Sequence, residues 1–217
     1  MDFQNWAFGY GVQWVGASGR LTINTPQAVT AVSAFRRVYD SGIIPVGDDF
    51  STQRIRFKQG HVAMGIDNSG GALNIASGGP LQSRDLCAAP MPFPHPGAHQ
   101  QLFIALTTRS AHRAEAIAFL RWLVSPAAQQ ALRQVSGPDT LATDVPMSAA
   151  FQLENPWAAT FAELAERSRS VLIPGYEVST MLIMRIVMQA IEHVIIGGRP
   201  PEIALADAQR KIDAKFQ

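Results

Sequence analysis

Three times in this chain a capping residue stands directly before a proline: Thr25-Pro26, Ser125-Pro126 and Asn155-Pro156. A Thr, Ser or Asn side chain accepts a hydrogen bond from an otherwise unpaired N–H of a first helical turn. Proline fits the next position because it has no N–H to leave unpaired. Each pair therefore predicts a helix start. Behind the first, Ala28, Val32, Phe35 and Tyr39 form one apolar stripe, which Gly42 closes and Pro45 keeps from continuing. Behind the third come Trp157, Phe161 and Leu164. Further helices are expected over residues 51–59, 70–76, 110–124, 178–196 and 201–216, the last two separated by Gly197-Gly198. Strand signals are fewer. Val62, Met64 and Ile66 alternate with Ala63 and Gly65, and residues 84–89 and 101–107 read as strands around PMPFPHPGAHQ. Four prolines make that segment a stiff extended loop. The fold class is α/β, helix-rich with short strands.

One helix conflicts with that inventory. Residues 110–124 turn Ala116, Ile117, Leu120, Leu123 and Val124 inward, yet carry Phe119 and Trp122 off that stripe. A helix apolar around much of its circumference wants partners on several sides. The following helix directs Ala128, Ala131, Leu132 and Val135 inward. The chain has too few strands to give this pair a sheet of its own.

The totals exclude several functions. With 217 residues, 47% hydrophobic and 16% charged, the chain can bury a sizeable core as one large domain or two small ones. A net charge of +1 without any Lys/Arg run offers no footprint for nucleic acid or an anionic membrane. Cys87 is alone and reads as a small buried hydrophobe. His95, His99 and His112, with Asp85, match no zinc spacing. No P-loop, GxGxxG element or Ser-His-Asp elbow is present, and Asp48-Asp49 is read as a helix-dipole feature. No catalysis, metal or cofactor is therefore expected, and a hydrolase on an α/β frame ranks third among readings. Residues 181–196 are too short to span a bilayer and hold Arg185, Gln189, Glu192 and His193, so they read as a buried helix. The opening MDFQNWAFGYGVQWVG lacks the features of a signal peptide and brings Trp6 and Trp14 at once, as though starting inside a fold.

Function is suggested by FKQGHVAMGIDNSGGALNI, residues 57–75. A connector needs one glycine, whereas here a strand is delivered into Asp-Asn-Ser-Gly-Gly before a helix restarts. Backbone and short polar side chains are expected to approach something else there. Three motifs then stand in order: Phe57-x-x-Gly60-x-x-Ala63-Met64, Ser125-Pro126-x-x-Gln129 and Gly198-x-Pro200-x-Glu202-x-Ala204-Leu205. In that order and spacing the chain resembles the extracellular solute-binding proteins of family 1, the sugar-binding receptors of ABC importers. The resemblance covers only the C-terminal portion of the family pattern.

It implies a periplasmic-binding-protein-like (class II) C-terminal lobe with the N-terminal lobe largely missing. Residues 1–101 and 170–217 would form the C-terminal lobe, and residues 102–169 a crossover strand and helices belonging to the other lobe. That would give Phe119 and Trp122 a sheet outside this chain. The implied parent is a periplasmic receptor that holds a small polar solute between closing lobes and presents it to ABC permease subunits. This chain, without a signal peptide, would be a truncated fragment that self-associates or swaps segments through exposed apolar helices. A free-standing interaction domain that has lost transport is the rival reading.

Sugars need aromatic faces and short polar groups on a concave surface. The candidate ligand-binding residues are Trp6 and Tyr10; Asp67, Asn68 and Ser69; and Gly175, Tyr176 and Glu177 in IPGYEVST. Asp67 and Asn68 are also natural caps for the next helix. Trp14 and Trp157 read as interior. The maltose-binding pattern places a tryptophan after the strand, where this chain has Ser69-Gly70-Gly71-Ala72. Free N–H groups there favour a carboxylate or phosphate, and the segment resembles the glycerol-phosphate receptors of the same family, which makes such a ligand the alternative to a sugar or polyol.

Overall fold

A computed structural model describes residues 2–45, 47–100, 104–136 and 145–216. Ten α-helices lie among them: α1 (Asp2–Gly9), α2 (Pro26–Asp40), α3 (Phe50–Lys58), α4 (Ser69–Ala76), α5 (Arg113–Leu123), α6 (Pro126–Ser136), α7 (Ala149–Glu154), α8 (Ala158–Arg167), α9 (Thr180–Ile195) and α10 (Pro201–Phe216). Two short strands, β1 (Ala98–His99) and β2 (Arg169–Ser170), pair in parallel, with Ala98 opposite Arg169 and His99 opposite Ser170. The chain divides into two compact units. The first comprises Met1–Val46, Met91–Gln101 and Ser168–Gln217, and the second Gly47–Pro90 and Leu102–Arg167.

The first unit packs α1, α2, α9 and α10 around one core. Phe3, Trp6 and Ala7 of α1 meet Ala28, Ala31 and Val32 of α2 and Ile183, Val187, Ile191 and Val194 of α9 in a single apolar cluster. Trp14, Leu21 and Ile23 join it from the segment between α1 and α2. Thr25 caps α2 as expected, its Oγ1 accepting from the Ala28 N–H at 3.2 Å. Gln209 of α10 serves that segment's backbone: its Oε1 accepts from Ile23 N–H at 2.6 Å, and its Nε2 donates to Leu21 C=O at 3.0 Å. The backbone at Leu21 and Ile23 is thus satisfied by a side chain rather than by a sheet. α9 occupies the stretch read as a buried helix. Glu177–Ile195 has the length and hydropathy to cross a membrane, and its inner face is packed in this core.

The second unit is thinner. Its fully packed cluster holds Ile75, Leu86, Trp157 and Ala158, with Phe57, Leu73, Leu81, Phe151 and Phe161 half-buried around it. A polar knot ties the cluster's edge. Trp157 Nε1 donates to Ser83 Oγ at 2.8 Å, and Ser83 Oγ donates to Asn155 Oδ1 at 2.5 Å. Asn155, expected to cap a helix at Pro156, instead closes α7 through its Nδ2 to Phe151 C=O at 2.9 Å, and α8 starts at Ala158. Ser125 does cap α6, and Gln129 of the same motif donates to Leu123 C=O at 2.6 Å, fixing the α5–α6 corner. Arg133, buried in α6, donates to the carbonyls of Val145 and Pro146.

Several expectations need correction. Residues 62–66 form no strand: Met64 is 88% exposed, because no neighbouring strand lies among the described residues to cover the alternating face. Residues 84–89 give a 3-10 turn, Ser83–Asp85, followed by irregular chain. Of residues 101–107, the first three lie outside the described residues and the rest are not strand. α5 buries none of its side chains, and Val124, Ala131 and Val135, expected inside, are exposed. Cys87 is exposed rather than buried, since the irregular chain after the 3-10 turn directs Leu86 inward. α1 and α7 were not anticipated at all. α7 nonetheless has a clear cap, Ser148 Oγ accepting from Phe151 N–H at 3.1 Å.

Candidate functional site

The candidate residues fall in both units. Trp6, Tyr10, Gly175, Tyr176 and Glu177 belong to the first, and Asp67, Asn68 and Ser69 to the second. Within the first unit, Trp6 lies on the inward face of α1 and is only 7% exposed. Its indole stacks on Tyr10 at 6.4 Å between centroids and meets Phe93 at 4.9 Å and Phe35 at 5.3 Å. Its Nε1–H is buried without a partner among the described residues. Trp6 is thus a wall-builder whose faces are already occupied. Tyr10, half-buried at the end of that stack, is the aromatic with surface left to offer.

The proline loop supplies Phe93, a site neighbour that the sequence did not single out. Gly9 lets it in, since a Cβ there would collide with the Phe93 ring. His95 of the same loop donates its backbone N–H to Gly9 C=O at 3.2 Å, fastening the loop to α1.

Gly175, Tyr176 and Glu177 form a tight turn before α9. Gly175 takes φ +79°, a conformation that favours glycine. Glu177 Oε1 accepts from Gly175 N–H at 2.9 Å. Glu177's own backbone N–H and that of Gly175 hold its carboxyl below the usual range, so the side chain is an anion committed to its turn. Tyr176 is half-buried against the core, with its hydroxyl donating to Gly19 C=O at 3.3 Å. The turn is rigid, and its exposed edge is built from Pro174, Gly175 and Glu177.

In the second unit, Asp67 is held by Arg54, which no local sequence pattern marks. Arg54 of α3 grips the carboxylate in a fork, Nε to Oδ2 and Nη2 to Oδ1, both at 2.7 Å. Asp67 in turn holds the Arg54 guanidinium above its ordinary range. Asp67 Oδ1 also accepts from Asn68 N–H at 2.8 Å, and Asn68 Oδ1 accepts from Gly71 N–H at 2.9 Å, capping α4. Ser69, the first residue of α4, is fully buried, and its Oγ has no partner among the described residues. A parallel fork joins Arg56 to Asp48, with Nε to Oδ2 at 2.5 Å. Thirteen residues separate Arg54 from Asp67, beyond any local periodicity that could have flagged the pair.

Taken unit by unit, the first offers an accessible aromatic edge and a carboxylate engaged by backbone, and the second an amide, a hydroxyl and a carboxylate paired with Arg54. The first suits stacking and hydrogen bonding, the second hydrogen bonding. Among the described residues no three His, Cys, Asp or Glu side chains gather in a metal-ligating group.

The fold is shared with solved structures. It matches an ABC transporter solute-binding protein from Agrobacterium radiobacter K84 in complex with ribitol, with a TM-score of 0.74 at 19% identity, over 99% of this chain and 56% of that one. It also matches UgpB from Mycobacterium tuberculosis in complex with glycerophosphocholine, with a TM-score of 0.72 at 18% identity, over 98% of this chain and 54% of that one. Maltose-bound MalE3 of T. maritima gives 0.71 at 14% identity, over 98% and 56%. This chain therefore spans little more than half the length of those three proteins. No curated protein matches the sequence. The sequence profile of the bacterial extracellular solute-binding proteins matches residues 1–130, more than half of the chain, and the chain belongs to that family.

Proposed function

We propose that this chain is part of a non-catalytic receptor that binds a sugar, polyol or similar small polar solute in the periplasm for an ABC importer. The single observation that carries the reading is the family match over residues 1–130. The solutes held by the related structures, ribitol and maltose among them, give the chemical class. Within the first unit, Tyr10 would supply an aromatic edge and the Gly175–Glu177 turn, anchored by Tyr176, a rigid lip; within the second, the start of α4 would offer short polar groups of its own. Trp6 supports Tyr10 from behind. In this reading residues 102–169 belong with a second lobe, which the rest of the receptor provides and on which the solute cleft closes. ABC permease subunits are the partners of the assembled receptor.

A second reading, an interaction domain outside transport, is favoured by α5, where Phe119 and Trp122 stand 53% and 58% exposed. The ring pair, 5.6 Å apart, forms an apolar patch that a partner chain or a second copy could cover. Nuclear magnetic resonance titration of the labelled chain with ribitol and maltose separates the two. The receptor reading expects saturable shifts at Tyr10, the 175–177 turn or the start of α4, with weak affinity because one wall is present. Shifts confined to α5, or none with either solute, would contradict it.

A further inference from the structure

The sequence leaves the charge of the solute open, because a helix start carrying two glycines in its first turn is a natural seat for an anion. Resting on the reading of this helix start as part of the solute wall, we propose that Asp67 is a specificity-determining residue. It closes the start of α4 to anions and restricts the solute met there to neutral, hydroxyl-bearing molecules.

The place an anion would take is filled from within. The Asp67 carboxylate accepts the Asn68 N–H at 2.8 Å, so a negative charge of the protein's own already sits at the positive end of the helix. Asn68 Oδ1 removes the next available donor by accepting from Gly71 N–H at 2.9 Å. The carboxylate lies so close over the first turn that a Cβ on Gly71 would collide with it. That close approach accounts for glycine at this position better than a ligand's approach does. The nearby cation is consumed too, since Arg54 gives Nε and Nη2 to the two Asp67 oxygens at 2.7 Å each. A bidentate fork of this kind commits the Nε–Nη2 edge of the guanidinium, and much of its charge, to Asp67.

What remains is Ser69. It opens an eight-residue helix and is fully buried, with an Oγ that lacks a partner. A buried hydroxyl without a partner is costly, and a neutral O–H that can donate or accept is what completes it. A phosphate entering there would meet the Asp67 carboxylate, which already holds the charge of Arg54. The glycerol-phosphate class is therefore disfavoured at this wall, whose own carboxylate already holds the helix start.

The test is a titration of the uniformly labelled chain with inorganic phosphate and glycerol 3-phosphate, reading the amides of Asn68, Ser69, Gly70 and Gly71. The native chain is expected to show no saturable shift at these amides. Asp67→Ala, which frees Arg54 and the Asn68 N–H, is expected to gain one, with phosphate affinity raised at least about tenfold. The gain should disappear in the Arg54→Gln, Asp67→Ala double variant. If Asp67→Ala does not fold, Asp67→Asn removes the charge at nearly constant volume and carries the same expectation. Saturable phosphate binding at these amides in the native chain would overturn the proposal, as would an Asp67 variant that folds and gains none. These arms need no neutral solute to bind. A failure of ribitol and maltose to bind would therefore count against the receptor reading and leave the anion exclusion standing or falling by itself.

Discussion

Helices α9 and α5 are both rich in apolar side chains, and they end up in opposite circumstances. α9 buries Thr180, Ile183, Val187, Ala190, Ile191 and Val194. α5 buries nothing, although it carries Ile117, Phe119, Leu120, Trp122 and Leu123. The difference does not lie in the helices. α9 meets α2 and α10 in a core that also receives α1, whereas the one buried cluster described in the second unit has only four fully packed apolar residues. Burial belongs to a helix and its partners together. At roughly 1.5–3 kcal/mol per fully buried large aliphatic side chain, α9 is held far more firmly than α5.

The largest way to stress this comparison is to remove the centre of the thin core. Trp157 is 1% exposed and is also the donor in the Ser83 knot. Trp157→Ala should cost about 3–5 kcal/mol. Its effect should be confined to the second unit, read as loss of hydrogen-exchange protection in α7 and α8 with α9 unchanged. Equal loss in both units would mean that they fold as one body and that the contrast is overdrawn.

Next in size is a matched pair of truncations. Ile183→Ala in α9 should destabilise by about 2–5 kcal/mol in chemical denaturation. Trp122→Ala in α5, though it removes more atoms, should change stability by no more than about 0.5 kcal/mol and should lower dye binding by exposed apolar surface. If Trp122→Ala costs as much as Ile183→Ala, then α5 has a partner that its exposure does not reveal.

The smallest effect concerns the start of α3. Asp49 Oδ1 accepts from Thr52 N–H at 2.7 Å, and that backbone hydrogen bond holds the carboxyl below its ordinary value of 3.8. A lowered carboxylate contributes stability that is fully present above 3.8 and is lost as pH falls through the still lower folded value. Asp49→Ala should therefore slightly reduce α3 protection near neutrality and make no difference once the pH is well below that value. A difference that persists in strong acid would show that the cap acts through something other than the ionised carboxylate.

How much could be read in advance follows from the same contrast. Caps and helix ends are local, so Thr25 and Ser125 were legible, and α10 has the expected bounds of Pro201–Phe216. Trp14 and Trp157 were legible as interior because large aromatics fill cores. Strands were not. The alternation of Val62, Met64 and Ile66 specifies a face, but a strand exists only with a neighbour, and the described residues supply one pair of two-residue strands. The site shows the same limit. Asn68 was legible as a cap, whereas the hold of Arg54 on Asp67 depends on how α3 and α4 pack, which no pattern within either segment records. α5 is the instructive middle case. Its excess of apolar faces was visible in the sequence, and the structure leaves those faces uncovered.

Native-state hydrogen exchange, resolved by mass spectrometry across α5 and α9 in one sample, tests the contrast most directly. The amides of α9 from Ile183 to Val194 should exchange only through global opening of the first unit, while those of α5 should exchange through local fraying, orders of magnitude faster. Protection of α5 equal to that of α9 in the isolated chain would contradict the account.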